Sequence, residues 1–498
     1  MDKRPEKRIN NEQIPACRSA VSGLRYSFIL FLSCGTKEAT TNEEASRPNI
    51  IIIFTDDQGY QDLGCYGSPD IHTPNLDKMA AEGMRFTRFY DAQPVCSASR
   101  AGLLTGCYPN RIGIHGALGP GAKAVLSHDE ITIAELVKPL GYSTAMFGKW
   151  HLGDTKEYLP KSHGFDEFFG LPYSNDMWPK HPENPEAWPR LPLIEGDSVA
   201  QYLDDDQNML TTWYTERAVD FIDRHKDKPF FLYVAHSMPH VPLFVSDKFR
   251  GSSPRGLYGD VIAEIDWSYR QINEALKRNG LEQNTLIIFT SDNGPWLSYG
   301  THSGSALPLR EGKGTVWEGG VRVPCIVKWP GVAPAGIVQN TPAMTIDILP
   351  TIAELLQVDL PAKTIDGKSV LSLIKNETGT SNPHDAYYFY YNRNELQSLM
   401  SGDGKWKLYF PHKYRSLEDR PGRNDGIPIK YNNQVETGLE LYDLENDISE
   451  TTDLADRYPE IVRQLSVLAD SCRAELGDAL TGVAGRGNRE PGKLITND

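Results

Sequence analysis

Asn49-Ile-Ile-Ile-Ile-Phe-Thr55, followed at once by Asp56-Asp57-Gln-Gly59, is the stretch whose reading decides the fold. A short β-branched run that ends in two carboxylates reads as a strand delivering polar side chains to its own carboxyl end. Three further runs repeat the pattern: Tyr142-Ser-Thr-Ala-Met-Phe147, Phe230-Phe-Leu-Tyr-Val-Ala235 and Thr285-Leu-Ile-Ile-Phe-Thr290. They are followed respectively by Lys149 and His151, by His236 and His240, and by Asp292-Asn293. From about residue 48 to 360 such runs alternate with longer amphipathic stretches, which predicts an α/β fold, a large mostly parallel mixed sheet sandwiched by helices. In open α/β sheets ligands bind outside the carboxyl ends of the strands, so if the four runs are parallel neighbours their trailing residues converge on one site.

Working outward, 498 residues with 39% apolar content suffice for one large core and a smaller companion. The formal charge of −15 offers no basic field for a phosphate backbone and argues against a nucleic-acid partner. Seven cysteines, widely scattered, make neither a disulfide scaffold nor a zinc ribbon. Between Pro172 and Met209 the composition shifts to Pro, Trp and acids, a long loop-like insertion placed to shape substrate access. Beyond about residue 380, Tyr387-Tyr-Phe-Tyr-Tyr391, Lys405-Trp-Lys-Leu-Tyr-Phe410 and Leu439-Glu-Leu-Tyr-Asp-Leu444 read as strands, and Tyr458 to Leu476 as an amphipathic helix. The expected organisation is a leader over 1–46, a catalytic domain over 47–380, and a smaller α+β domain with an antiparallel sheet over 381–498.

Within the leader, Arg25 precedes the apolar run Tyr26 to Ser33 and then Cys34-Gly35. This resembles a bacterial lipoprotein signal, with Cys34 lipidated as the mature N-terminus and a periplasmic or cell-surface protein as the result. The competing reading is an unprocessed disordered leader. No later segment approaches the length of apolar sequence that a membrane span needs.

The chemistry is concentrated in Pro94-Val-Cys96-Ser-Ala-Ser-Arg100-Ala-Gly-Leu-Leu-Thr-Gly106. This resembles the signature of the type I sulfatase family, part of the alkaline-phosphatase superfamily. In that family the cysteine is oxidised to formylglycine (3-oxoalanine), whose hydrated aldehyde attacks sulfur and then collapses to release sulfate without water attacking the sulfur. Ser97 to Leu104 reads as a helix, placing Cys96 at its N-terminus, where unpaired amides favour an anion.

The all-oxygen set Asp56, Asp57, Asp292 and Asn293 suits a hard divalent cation, calcium ahead of magnesium. The resemblance implies that these four bind calcium together with the oxygen at position 96, so that Cys96 counts as a ligand as well as the nucleophile. Lys149-Trp-His151-Leu-Gly and Leu309-Arg-Glu-Gly-Lys313 resemble two further family motifs. By that resemblance Arg100, Lys149 and Lys313 clamp the sulfuryl group, His151 is the base for the second diol hydroxyl, and His240 with Lys313 faces the leaving oxygen. His236 matches no family position and is expected to be structural.

The resemblance extends from about Arg47 to Leu454. It implies an alkaline-phosphatase-like fold, a sulfated substrate, most simply a carbohydrate, and a maturation partner, either an oxygen-dependent formylglycine-generating enzyme or a radical maturase. Two other functions stay open at this point: a phosphate or phosphonate monoester hydrolase of the same superfamily, and a non-catalytic binder of sulfated glycan.

Overall fold

Asn49–Thr55 is a strand with every residue buried. Its alternating side chains send Ile50, Ile52 and Phe54 into the apolar core on one face, and Ile51 and Ile53 into the core on the other. A strand covered on both faces has no use for polar alternation, which is why it is written as a continuous isoleucine run. In the computed structural model, which describes residues 47–494, this strand lies between Thr285–Ser291 and Phe230–Ala235 and runs parallel to both. Ser143–Lys149 extends the parallel block beyond Phe230–Ala235. The four runs are therefore parallel neighbours with their carboxyl ends on one side.

Among the described residues the sheet has 11 strands. On one flank Arg322–Lys328 pairs antiparallel with Thr285–Ser291 and with Met84–Tyr90. On the other, Glu167–Leu171 runs parallel to Ser143–Lys149, and the hairpin Pro192–Glu195 with Ser198–Tyr202 closes the edge. That hairpin corrects the reading of Pro172 to Met209 as loop throughout. Its outer strand is exposed at every residue, so it buries no face and leaves no apolar pattern in the sequence. Leu210–Arg224 and Leu257–Arg278 cover one face of the sheet, and Cys96–Thr105 and Ile348–Leu356 the other.

Ala386–Tyr391, Glu395–Ser401, Trp406–Tyr409 and Glu440–Asp443 form a separate four-stranded antiparallel sheet in that order, backed by the helix Pro459–Leu476. Its apolar core takes in Val316, Trp317 and Val321 from the segment just after Lys313, and the described residues make one compact unit. A second hairpin, His412–Ser416 with Asn432–Thr437, projects from the same region.

A fully buried ion cluster fastens the small sheet to the Lys313 segment. Lys407 Nζ lies 2.7 Å from Glu318 and 3.5 Å from Glu450 and donates to the Val316 carbonyl at 2.8 Å. Glu318 also pairs with Arg322 at 3.1 Å, and its amide donates to Glu450 at 2.8 Å. The leader with Cys34 lies outside the described residues, among which no helix is long and apolar enough to cross a membrane.

Candidate active site

Cys96 is the first residue of the helix Cys96–Thr105, and all ten residues of that helix are buried. Val95 before it is extended, and no side chain caps the helix. Uncapped first-turn amides inside a protein need another acceptor, and an anion at the cysteine would provide one. Cys96 Sγ accepts from Lys313 Nζ at 3.5 Å. Burial pushes the thiol up to about 12, against the pull of Lys149 and Lys313. An unmodified Cys96 is thus a neutral thiol at ordinary pH and a poor nucleophile.

The acidic residues meet beside it. Asp56 Oδ2 accepts from Lys149 Nζ at 2.5 Å and lies 3.4 Å from Arg100 Nη2. Burial opposes ionisation of Asp56, but Lys149, His240, Arg100 and Lys313 outweigh it and hold the carboxyl well below the usual range. Asp57 accepts from Lys313 Nζ at 2.8 Å and from Asn293 Nδ2 at 2.7 Å. Asp292 accepts from Arg100 Nη2 at 2.9 Å and from the Asp57 amide at 2.9 Å. Burial and the neighbouring Asp56 raise Asp292 to about 8, with Arg100 pulling the other way. The charge of Asp56 disfavours ionisation of Asp292 in the same buried site, and a further cation there would favour it.

Lys149 owes its position to Gly148, whose φ is +128° and where a Cβ would lie 1.8 Å from the Ala235 carbonyl oxygen of the adjacent strand. Asp57 and His151 both carry left-handed backbone, φ 64° and 61°, a cost that clusters at functional positions. His151 Nε2 lies 2.7 Å from the Leu118 carbonyl. A carbonyl only accepts, so Nε2 holds the proton and Nδ1, which has no partner, presents a lone pair. Burial, with Lys149 and Arg100, keeps the ring well below the ordinary histidine range and hence neutral.

His240 is arranged the other way round, with Nδ1 2.6 Å from the Val241 carbonyl and Nε2 3.6 Å from Asp57 Oδ2. His236 bonds Ser268 at 3.2 Å, on the side of the helix Leu257–Arg278, and burial lowers it to about 3.

Cys96, Arg100, Lys149, His151, His240 and Lys313 therefore surround the Asp56, Asp57, Asp292 and Asn293 set. Sequence reasoning missed Ser174, whose hydroxyl accepts from Lys149 Nζ at 3.0 Å, and Trp296, whose half-buried ring lies 4.5 Å from Lys313 Nζ and 5.6 Å from the His240 ring. Ser174 sits in the insertion that was read for its composition alone. Trp296 follows Asp292-Asn293-Gly-Pro directly, and that adjacency was the available signal.

The donor set fits a divalent cation. Asp56 Oδ1 and Asn293 Oδ1 are buried oxygens without a hydrogen-bond partner, and atoms of Asp56, Asp57, Cys96 and His240 lie within 4.8 Å of one another. Oxygen-rich acidic surroundings suit a hard ion. His240 enters this tight group, which the sequence did not anticipate. Asp292 lies outside it, with one oxygen engaged by Arg100 and the other by the Asp57 amide.

The sheet order, the strand-end site and the helix that starts at the cysteine define an alkaline-phosphatase-like hydrolase. The chain belongs to the sulfatase family: residues 48–358 match the sulfatase family model, and residues 312–407 match that of the C-terminal region of N-sulphoglucosamine sulphohydrolase. It is similar to arylsulfatase A from Bos taurus, 37% identical over 468 residues that cover 88% of this chain and 90% of the relative. It is also similar to N-acetylgalactosamine-6-sulfatase from Sus scrofa, 35% identical with 85% and 84% covered. Among solved structures, Ps i-CgsB in complex with k-i-k-neocarrahexaose superposes with a TM-score of 0.71 at 29% identity, covering 91% of this chain and 96% of that one. The protein is a sulfuric ester hydrolase.

Proposed function

We propose that this sulfatase works through a formylglycine made from Cys96, holds a calcium ion through Asp56, Asp57, Asp292 and Asn293, and desulfates carbohydrates. One observation carries the reading: Lys313 Nζ bridges Cys96 Sγ and the Asp57 carboxylate, at 3.5 Å and 2.8 Å. A modifiable side chain, a cation and the acidic set thus share one point at the strand ends. When present, the aldehyde hydrate supplies the nucleophilic oxygen and the ion supplies positive charge toward the sulfuryl oxygens.

The chain's own residues do the rest. Arg100, Lys149 and Lys313 place three fixed, buried cations around a tetrahedral anion and favour the charge that develops on it. Asp56 and Ser174 hold Lys149 from two sides, so its ammonium need not reorganise during the reaction. His151 Nδ1, with its tautomer set by the Leu118 carbonyl, takes up a proton. Lys313 Nζ holds the proton that the leaving oxygen needs, and His240, whose Nδ1 donates to the Val241 carbonyl, turns Nε2 toward the same point.

A carbohydrate substrate is supported by the relatives, one named for N-acetylgalactosamine and one in complex with k-i-k-neocarrahexaose. The apolar run before Cys34 supports an exported, lipid-anchored enzyme that meets its substrate outside the cytoplasm. Mass spectrometry of the peptide that contains position 96, joined to a desulfation panel of defined sulfated sugars, tests the proposal. An intact thiol in fully active protein overturns the mechanism, and faster release of phosphate than of sulfate from matched aryl esters overturns the substrate assignment.

A further inference from the structure

The Trp296 ring, which lies against Lys313, also lies against a second cation that the catalytic scheme does not use. Arg415, on the projecting hairpin strand His412–Ser416, places its Cζ 5.8 Å from the Trp296 ring centre and 4.6 Å from that of Tyr431. Among the described residues its only hydrogen bonds run from Nε, at 2.9 Å, and Nη2 to the backbone carbonyl of Lys313. Nη1 makes no hydrogen bond and is not among the sealed unpaired atoms of the described residues, so it opens to solvent on a half-buried side chain.

No carboxylate among the described residues lies within ion-pair distance of Arg415. Glu311, which feels the charges of Arg310 and Arg415, is hydrogen-bonded to Ser416 Oγ at 2.6 Å. The guanidinium is held by shape. Gly314 leaves room for it, since a Cβ there would lie 2.5 Å from Arg415 Cζ. A half-buried guanidinium with no acid of its own, fixed against the lysine that contacts Cys96 and edged by a half-exposed tryptophan, is arranged to receive an anion that arrives with a flat or ring-shaped group.

We propose that Trp296 and Arg415 form a subsite on the leaving-group side, where Trp296 takes the sugar ring and Arg415 binds a second oxyanion on the substrate, a carboxylate or another sulfate. This rests on the carbohydrate reading above and narrows it to sugars with two anionic groups. With Nε and Nη2 committed to the Lys313 carbonyl, Nη1 is the donor left for a carboxylate or sulfate oxygen, and the planar guanidinium stays fixed in place where a lysine's ammonium would not.

The test uses substrate pairs matched at the scissile sulfate and differing in the second anion. One pair compares glucosamine 6-O-sulfate with glucosamine 2-N,6-O-disulfate. The other compares N-acetylgalactosamine 6-sulfate with the same unit linked to a uronate. The wild-type enzyme is expected to favour the dianionic member of at least one pair by about tenfold or more in kcat/KM, mainly through KM, and the pair that responds identifies sulfate or carboxylate as the occupant. Arg415→Met is expected to bring that ratio close to one, whereas Arg415→Lys keeps part of it.

Because the ratio is internal to each variant, partial loss of folded enzyme does not distort it. A wild-type ratio near one in both pairs, or a ratio that survives Arg415→Met, overturns the subsite while the carbohydrate reading stands. Turnover of 4-methylumbelliferyl sulfate with no turnover of any sugar sulfate overturns both.

Discussion

Lys407→Met is the substitution through which the small C-terminal sheet should reveal its hold on the active site. The ammonium is fully buried between Glu318 and Glu450 and supports the Val316 carbonyl, three residues from Lys313. With Arg322 the cluster holds two cations and two acids. Methionine fills similar volume but leaves the acids with one cation, and breaking a buried pair in this way costs about 3–5 kcal/mol. In a chain of this size that corresponds to a fall in melting temperature on the order of 3–5 °C.

The loss should depend on pH with a defined sign. Burial pushes Glu450 up to about 7, Lys407 pulls it down and Glu318 pushes it further up, so removing Lys407 moves it higher. A group raised in the folded state contributes its full stability below the ordinary carboxylate range and loses it as pH rises through the folded value. At about pH 5.5 Glu450 is protonated and the remaining Glu318 and Arg322 balance, whereas at about pH 8 a second carboxylate must be buried unpaired or keep its proton against the bulk. Thermal scans of both proteins at one heating rate should show a clearly larger deficit at the higher pH. A variant that melts within a degree of wild type at both values, or that loses more in acid, refutes this account of the cluster.

Ser174→Ala removes the second acceptor of a buried ammonium and should lower kcat/KM about tenfold, the scale of a lost hydrogen bond to a charged group, with the melting temperature nearly unchanged; steady-state kinetics on an aryl sulfate checks it. Gly314→Ala forces a Cβ against Arg415 at a residue whose φ is +75°, so circular dichroism should report a folded protein while turnover falls along with the displaced Lys313 carbonyl. Removal of divalent ions by a chelator should lower both activity and melting temperature, and calcium in about 100-fold excess over its dissociation constant should restore about 2.7 kcal/mol of stability; recovery with magnesium but not calcium would count against the proposed ion. Cys96→Ala should retain the fold and lose turnover, and wild-type rates in that variant would end the proposed chemistry.

The sequence by itself determined the strands and the identities at their ends. A doubly covered strand must be apolar at every position, so Asn49–Thr55 and Thr285–Ser291 were legible as buried strands, and ionisable residues directly after them had to lie at a strand terminus. The signature around Cys96 identified the nucleophile helix for the same local reason. Convergence was not local. That Asp57 meets Lys313 and that Arg100 bridges Asp56 and Asp292 depends on strand order, which periodicity does not encode.

The hairpin within 172–209 escaped because an exposed edge strand buries nothing. Ser174, Trp296 and Arg415 escaped because each acquires its role from a partner far along the chain: Lys149, His240 and Lys313. The tautomers of His151 and His240 likewise follow from which carbonyl each ring meets, at Leu118 and Val241. Only packing the small sheet and its hairpin against the large one brings a guanidinium from residue 415 onto the backbone of the active-site lysine, because that contact is made by shape and by main chain, neither of which leaves a mark in the order of residues.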